Sequence, residues 1–355
     1  MNGYATVGEG AGRCIVPVHA PNVRVVVERG LVVTDAARAE LPDGALFLDG
    51  AYAGPPFIDN VRRHYALDHH SGVVRPFTLA TCEQAAVLVA LGLPLDEGEW
   101  RIYLNDPDLD ALLAAWVLVN FAPLRADDQR LIGELMPLLR VEGNIDTYGL
   151  DRAALSGVLP RSYAVHKSRL ERLRANELEL RRSGAWDACD AVAYACARLS
   201  AFDAALLVRG RRDASRRALE RRGFVRARKV AVLMRSSAGI YEVEEALHTR
   251  YGDALAIVVL DRGAGHVSIL MADPFLPKSL ADVYPLLNAA DGLADPSAGN
   301  VWGGAREIGG SPRRTGTALG GEQVVRLVAR LFAIEPRLDG STRAPNDRAR
   351  VPVGA

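Results

Sequence analysis

Ala66-Leu67-Asp68-His69-His70-Ser71-Gly72 is an apolar run that stops at three residues of the kinds that ligate divalent cations. On an extended chain neighbouring side chains point to opposite sides, so one histidine can ligate while the other faces a ligand, or a turn can gather both. The aspartate can hold an imidazole N–H and fix its tautomer. Alone, the pair reads more readily as a polar surface loop, and the hydrophobic lead-in and the companion carboxylates reverse that. Nineteen residues earlier the pattern recurs: Ala45–Leu48 is an apolar strand that runs into Asp49-Gly50. Carboxylates at strand ends lie where open α/β sheets place their ligands. Strand, loop and helix then alternate: a helix over 79–92, a strand at 101–104, an Asp-rich loop and an Ala/Leu-rich helix to about Asn120. That alternation predicts a parallel α/β sheet.

The chain has 355 residues, 49% hydrophobic and 24% charged, which excludes a disordered polymer and predicts two or three domains. Lys+Arg and Asp+Glu both number 43. The zero net charge is a cancellation: residues 1–150 carry −9, residues 151–230 carry +10 and the remainder −1. This argues against a uniformly basic nucleic-acid coat. Four scattered cysteines form no disulfide framework, so a reducing cytosol is the simplest compartment. No secretory leader is visible, and apolar runs such as Ala111–Val119 are too short for a membrane span.

Two further groups bear chemistry. Asp106, Asp108 and Asp110 alternate at a helix start, which on an extended loop puts three carboxylates on one side. Such anions repel unless a cation is bound or the loop is solvated, and helix capping is an equally simple reading. Asp146, in Gly143-Asn144-Ile145-Asp146-Thr147-Tyr148-Gly149, is a further ligand candidate or an Asx turn. Late in the chain, Gly309-Gly310-Ser311 with Arg306, Arg313 and Arg314 offers close backbone approach and planar guanidinium forks to a phosphate. The alternative there is a solvated surface loop. Arg209–Lys229 holds ten basic residues, suited to guiding a polyanion or to the wet face of a helix. Aromatic residues are 6% of the chain, which favours a short nucleotide over a long single strand.

Asp68-His69-His70 after an apolar strand, with the upstream Asp49 and the late Gly-Gly, resembles the DHH phosphoesterase superfamily with its associated C-terminal domain. The resemblance covers roughly residues 40–150 and 229–335. It implies Asp49 as a bridging carboxylate, His69 and Asp146 as metal ligands, and Asp106, Asp108 and Asp110 as the D-x-D set. It implies His70, supported by Asp68, at the scissile phosphate, and Gly309, Gly310, Ser311, Arg306, Arg313 and Arg314 on the substrate. Two Mn²⁺ ions are implied, with Mg²⁺ or Co²⁺ as substitutes. One departure stands out: in the family the D-x-D precedes the Asp-His-His, and here it follows.

The expected architecture is a parallel-sheet DHH-like domain over 15–150, a helical linker over 151–228, a smaller mixed α/β domain over 229–335 and a tail over 336–355. The expected function is metal-dependent hydrolysis of a phosphodiester or phosphomonoester in a small nucleotide or short oligonucleotide, in the cytoplasm, with no membrane and with a homodimer allowed. The alternatives are a non-catalytic nucleotide or phosphate binder and a pyrophosphatase-like hydrolase.

Overall fold

Ala45-Leu46-Phe47-Leu48 and His64-Tyr65-Ala66-Leu67 are buried at every position. Unbroken burial marks strands covered on both faces. The computed structural model describes residues 3–125, 129–207 and 228–339, and the chain divides into two units, Met1–Phe224 and Val225–Ala355.

The first unit contains β1 (Tyr4–Val7), β2 (Cys14–Pro17), β3 (Val23–Val27), α1 (Asp35–Glu40), β4 (Ala45–Leu48), β5 (Phe57–Asp59), β6 (His64–Leu67), α2 (Thr81–Ala90), β7 (Trp100–Leu104), α3 (Leu109–Val119), α4 (Phe121–Arg125), α5 (Gln129–Tyr148), α6 (Pro160–Arg182) and α7 (Ala191–Leu206). Its strands form one sheet in the order β1-β2-β3-β7-β4-β6-β5. The centre, β3-β7-β4-β6, is parallel, while β1, β2 and β5 add antiparallel edges. The sheet is therefore mixed rather than purely parallel. Helix α3 is buried along its whole length, apolar at every position but Asp110.

The helices expected as a linker belong to this unit. In α7 the buried residues Val192, Ala195, Leu199, Phe202 and Leu206 recur at helical spacing on one face, which packs on α3 and β1. Asp203 of α7 accepts a hydrogen bond from Trp116 Nε1 at 2.9 Å. Helix α6 lies against α5. The basic run expected at Arg209–Lys229 falls, up to residue 227, outside the described residues.

The second unit contains β8 (Val230–Arg235), α8 (Ile240–Tyr251), β9 (Leu255–Asp261), β10 (Val267–Met271), α9 (Leu280–Ala290), β11 (Gly303–Gly304), β12 (Ile308–Gly310), α10 (Gly321–Phe332) and β13 (Glu335–Asp339). The sheet order is β11-β12-β10-β9-β8-β13, parallel through β9-β8-β13 and antiparallel beyond β9. The period of two along β8 sends Val230, Val232 and Met234 to the α8 face, and Ala231 and Leu233 to the face covered by α9 and α10. The expected tail begins with β13, whose backbone completes the ladder beside β8. No helix among the described residues is long and apolar enough to cross a membrane.

Buried Asp291 ties this unit together, accepting from Trp302 Nε1 at 2.7 Å, Leu293 N at 3.0 Å and Ala318 N at 3.1 Å. Burial raises its pKa, but hydrogen bonds from Thr317 and these donors outweigh that and hold it below the usual carboxylate range. Asp291→Ala, which strands the Trp302 donor, should lower stability by about 1–3 kcal/mol in urea melts followed by tryptophan fluorescence. Because the folded pKa is depressed, the carboxylate's contribution is present above the unfolded value of about 3.9 and is lost as pH falls through the folded one. The wild-type advantage should therefore shrink in acid. An equal gap at pH 7 and pH 3 would contradict this.

Candidate metal centre

Strands β7, β4 and β6 are parallel neighbours, so their carboxyl ends share one edge of the sheet. Asp49 follows β4, the Asp68–Ser71 turn follows β6, and the Asp106–Asp110 segment leads from β7 into α3. The inverted motif order is thus no obstacle to convergence, because β7 lies beside β4 whatever its place in the chain. Asp146 comes from the last turn of α5.

Asp49, His69 and His70 each offer a ligand atom within 4.8 Å of the others, and so do His69, Asp110 and Asp146. The two groups share His69, which is fully buried. Its Nε2 lies 2.7 Å from Asp146 Oδ2, yet it has no partner in hydrogen-bond geometry. Its Nδ1 is 3.4 Å from Thr147 Oγ1. Two ligand atoms this close, with the N–H axis not on the oxygen, suit a shared cation. Three carboxylates and two imidazoles also form a donor set for a first-row divalent ion.

Asp68 builds the turn. Its carboxylate accepts from His69 N at 2.8 Å, His70 N at 3.0 Å, Ser71 N at 3.2 Å and His70 Nδ1 at 2.8 Å. His70 Nδ1 is also 3.3 Å from Asp49 Oδ1, and its side chain is 40% exposed. Asp110 is held by the first amides of α2, Thr81 N at 3.1 Å and Cys82 N at 3.2 Å, where the helix dipole favours negative charge. Thr81 Oγ1 donates to Asp49 at 3.2 Å.

The cluster is electrostatically crowded. Burial, then the charge of Asp110, pushes Asp49 up to about 7. Burial, then Asp146, pushes Asp110 to about 7. Burial and the neighbouring Asp49 raise Asp108 well above its ordinary value. Asp146 is held low: burial raises it, but the adjacent His69 and Arg75 outweigh that. Asp68 is low too, because the hydrogen bonds from His70 and the turn amides overcome its burial. The hydrogen bond to Asp68 raises His70. Carboxyls forced upward together either hold protons or face a cation.

The three alternating aspartates do not stay together. Asp110 joins the ligand groups. Asp108 caps α3, accepting from Ala111 N at 3.0 Å, and stands outside both groups. Asp106 turns elsewhere, to Arg29 at 2.8 Å, Arg181 at 3.2 Å and Trp186 Nε1 at 3.2 Å. The two guanidinium groups stack on Trp186 at 4.7 and 4.4 Å. Extended-chain alternation fails because the helix starts at Leu109, so the period changes within the motif.

The structure adds residues that the sequence reading passed over. Glu142, one helical turn before Asp146, is buried and raised well above its ordinary value, by burial and then by Asp110. Arg75 Nη2 donates to the Asp146 carbonyl at 3.0 Å and lies 3.3 Å from its carboxylate. The i, i+4 spacing of Glu142 and Asp146 was the available signal.

In the second unit the expected glycine loop is strand β12. Gly309 pairs with Ile269 and Gly304, and Gly310 with Ser268 and Gly303, so their backbone serves the ladder rather than a free phosphate nest. A Cβ on Gly309 would lie 2.1 Å from Tyr284 Oη, which explains the glycine by packing. Ser311 Oγ accepts from Val267 N at 3.1 Å. Gly309, Gly310, Ser311, Arg313 and Arg314 line a pocket of about 1050 Å³, while the exposed Arg306 stands outside it.

No protein-family model matches the chain, and no curated protein matches it. Among solved structures, an uncharacterized protein from Helicobacter pylori G27 aligns at 12% identity over 84% of this chain and 86% of its own, with a TM-score of 0.18. A score that low carries no argument about fold or site.

Gly143 sets how closely α5 approaches α2. A Cβ there would lie 2.3 Å from Glu83 Oε2 and 3.1 Å from Ala80 Cβ. Glu83 cannot swing away freely, being tied to Ala80 N at 3.2 Å and Arg140 Nη1 at 2.6 Å. A mid-helix glycine costs about 1 kcal/mol against alanine, so crowding accounts for its presence. Gly143→Val should cost about 1–3 kcal/mol by overpacking, read as a lower denaturation midpoint. Unchanged stability would show that the contact is loose.

Proposed function

We propose that the chain is a metal-dependent phosphoesterase of the DHH kind, acting on a phosphate ester of a small nucleotide or short oligonucleotide. The observation that carries this reading is the convergence of Asp49, His69, His70, Asp110 and Asp146 at one sheet edge, around a fully buried imidazole whose Nε2 lies 2.7 Å from the Asp146 carboxylate. His69, Asp110 and Asp146 would hold one ion and Asp49 would adjoin a second, with His70 left to face the substrate. Mn²⁺ is the expected ion, with Mg²⁺ or Co²⁺ able to use the same donors. When bound, such ions offset phosphoryl charge and lower the pKa of water.

The chain's own residues supply the rest. Asp68 fixes the His70 ring through Nδ1, which leaves Nε2 of this partly exposed side chain to offer a proton to a phosphoryl or leaving-group oxygen. Thr81 and the α2 amides hold Asp49 and Asp110 in place without adding negative charge.

A second reading, a non-catalytic nucleotide or phosphate binder, is favoured by the engagement of Asp106 with Arg29 and Arg181. One experiment separates them. Purified protein is stripped with EDTA, titrated with Mn²⁺ by calorimetry, and assayed on a 5′-phosphorylated dinucleotide and a cyclic dinucleotide. Turnover should require Mn²⁺. Residues that only support a metal ligand typically contribute 10–100-fold to affinity or activity, so His69→Ala and Asp146→Ala should each cost at least about a hundredfold. Turnover that is independent of metal, or unchanged in both variants, would overturn the phosphoesterase reading. Ligand binding without turnover, retained in His69→Ala, would support the binder.

A further inference from the structure

Beside the metal centre lies a pocket that the hydrolytic chemistry leaves unused. Phe77, Leu79, Glu83, Asn144, Thr147 and Leu155 are among its walls, and its volume is about 130 Å³. Sites for whole drug-sized ligands start near 300 Å³, so this one has room for a single flat heterocycle rather than a whole nucleotide. Thr147 is the wall it shares with the centre, through its contact with His69 Nδ1.

Two features point to what that ring is. Phe77 is 91% exposed, although the turn that carries it is pinned. Phe77 N donates to Val74 O at 2.8 Å, Arg75 reaches Asp146, and Tyr148 Oη donates to Pro76 O. The phenyl face is thus held out to solvent by an ordered segment. Asn144 is the opposite case, 3% exposed and on α5. Its Nδ2 donates to Tyr163 Oη at 3.2 Å, and its Oδ1 has no partner. Whichever end of the amide meets Tyr163, the other is buried and unpaired. A buried polar atom in that state gains most from a ligand that completes it.

An aromatic face for stacking and an unpaired amide for an edge are the two contacts by which proteins bind a nucleobase. We propose that this pocket is a base-binding subsite. A nucleobase stacks on Phe77 and hydrogen-bonds to Asn144 while its phosphate lies at the Asp49–Asp146 cluster. The position of the phosphate rests on the phosphoesterase reading, whereas the base contacts need no metal.

Calorimetric titration of the full chain tests this, with the four ribonucleoside 5′-monophosphates, the base-free ribose 5-phosphate, adenosine and Mn²⁺ as separate probes. At least one nucleotide should bind about tenfold more tightly than ribose 5-phosphate, the scale of a single base–aromatic stack. Phe77→Ala, at an exposed position where folding is not at stake, should remove that difference. It should leave the affinities for Mn²⁺ and ribose 5-phosphate unchanged, and Phe77→Tyr should restore the difference. If no nucleotide outbinds ribose 5-phosphate, or if Phe77→Ala leaves the nucleotides unaffected, the proposal is overturned. If Mn²⁺ fails to bind while adenosine binds the wild type and not Phe77→Ala, the metal reading falls and the base pocket stands.

Discussion

One carboxylate organises the centre. Three successive main-chain amides and an imidazole converge on Asp68, which folds the residues after β6 into a turn instead of letting them continue as strand. The constraint spreads from there. Gln84 Nε2 donates to the Asp68 carbonyl at 2.8 Å, which ties the turn to α2. The start of α2 grips Asp110 through two amides and Asp49 through the Thr81 hydroxyl. A single run of hydrogen bonds thus fixes ligand candidates from three loops that lie far apart in sequence.

The same compactness creates an electrostatic debt. Asp49, Asp108, Asp110 and Glu142 are all driven upward, each first by burial. Elsewhere in this unit, acids that leave the solvent meet guanidinium groups, as Asp106 does with Arg29 and Asp96 with Arg125. Around His69 the only arginine in reach of a ligand carboxylate, among the contacts of the described residues, is Arg75 on Asp146. Part of the −9 carried by residues 1–150 is concentrated here, and a divalent ion would neutralise it.

The parts of this arrangement that local pattern encodes were legible in the sequence. Apolar strands ending in aspartate announce themselves because a doubly covered strand holds few polar residues until it leaves the sheet. Asp49 and His69 follow from that pattern, whereas Asp146, which lies on helix α5, comes from the resemblance and otherwise reads as an Asx turn. What escaped depends on where one period gives way to another, or on who packs against whom. Asp106 and Asp110 part company because a helix begins between them. Gly309 and Gly310 read as a loop until Tyr284 is seen pressing on the first and the Val267 carbonyl on the second. Residues 151–228 read as helical, but helical spacing alone does not say which surface a helix will cover.

Asp49 illustrates a last consequence. Its φ of 51° lies in the left-handed region, where an L-residue is disfavoured and glycine is at ease. Gly50 beside it has φ 78°, so the chain makes its sharp exit from β4 with one residue suited to the geometry and one that is not. A glycine at 49 would relax the backbone and remove a carboxylate from the crowd, but would also remove the acceptor that Thr81 and His70 meet. The protein instead keeps an ionisable group in a strained bend. Asp49 is thus a position where backbone comfort and site chemistry pull against each other.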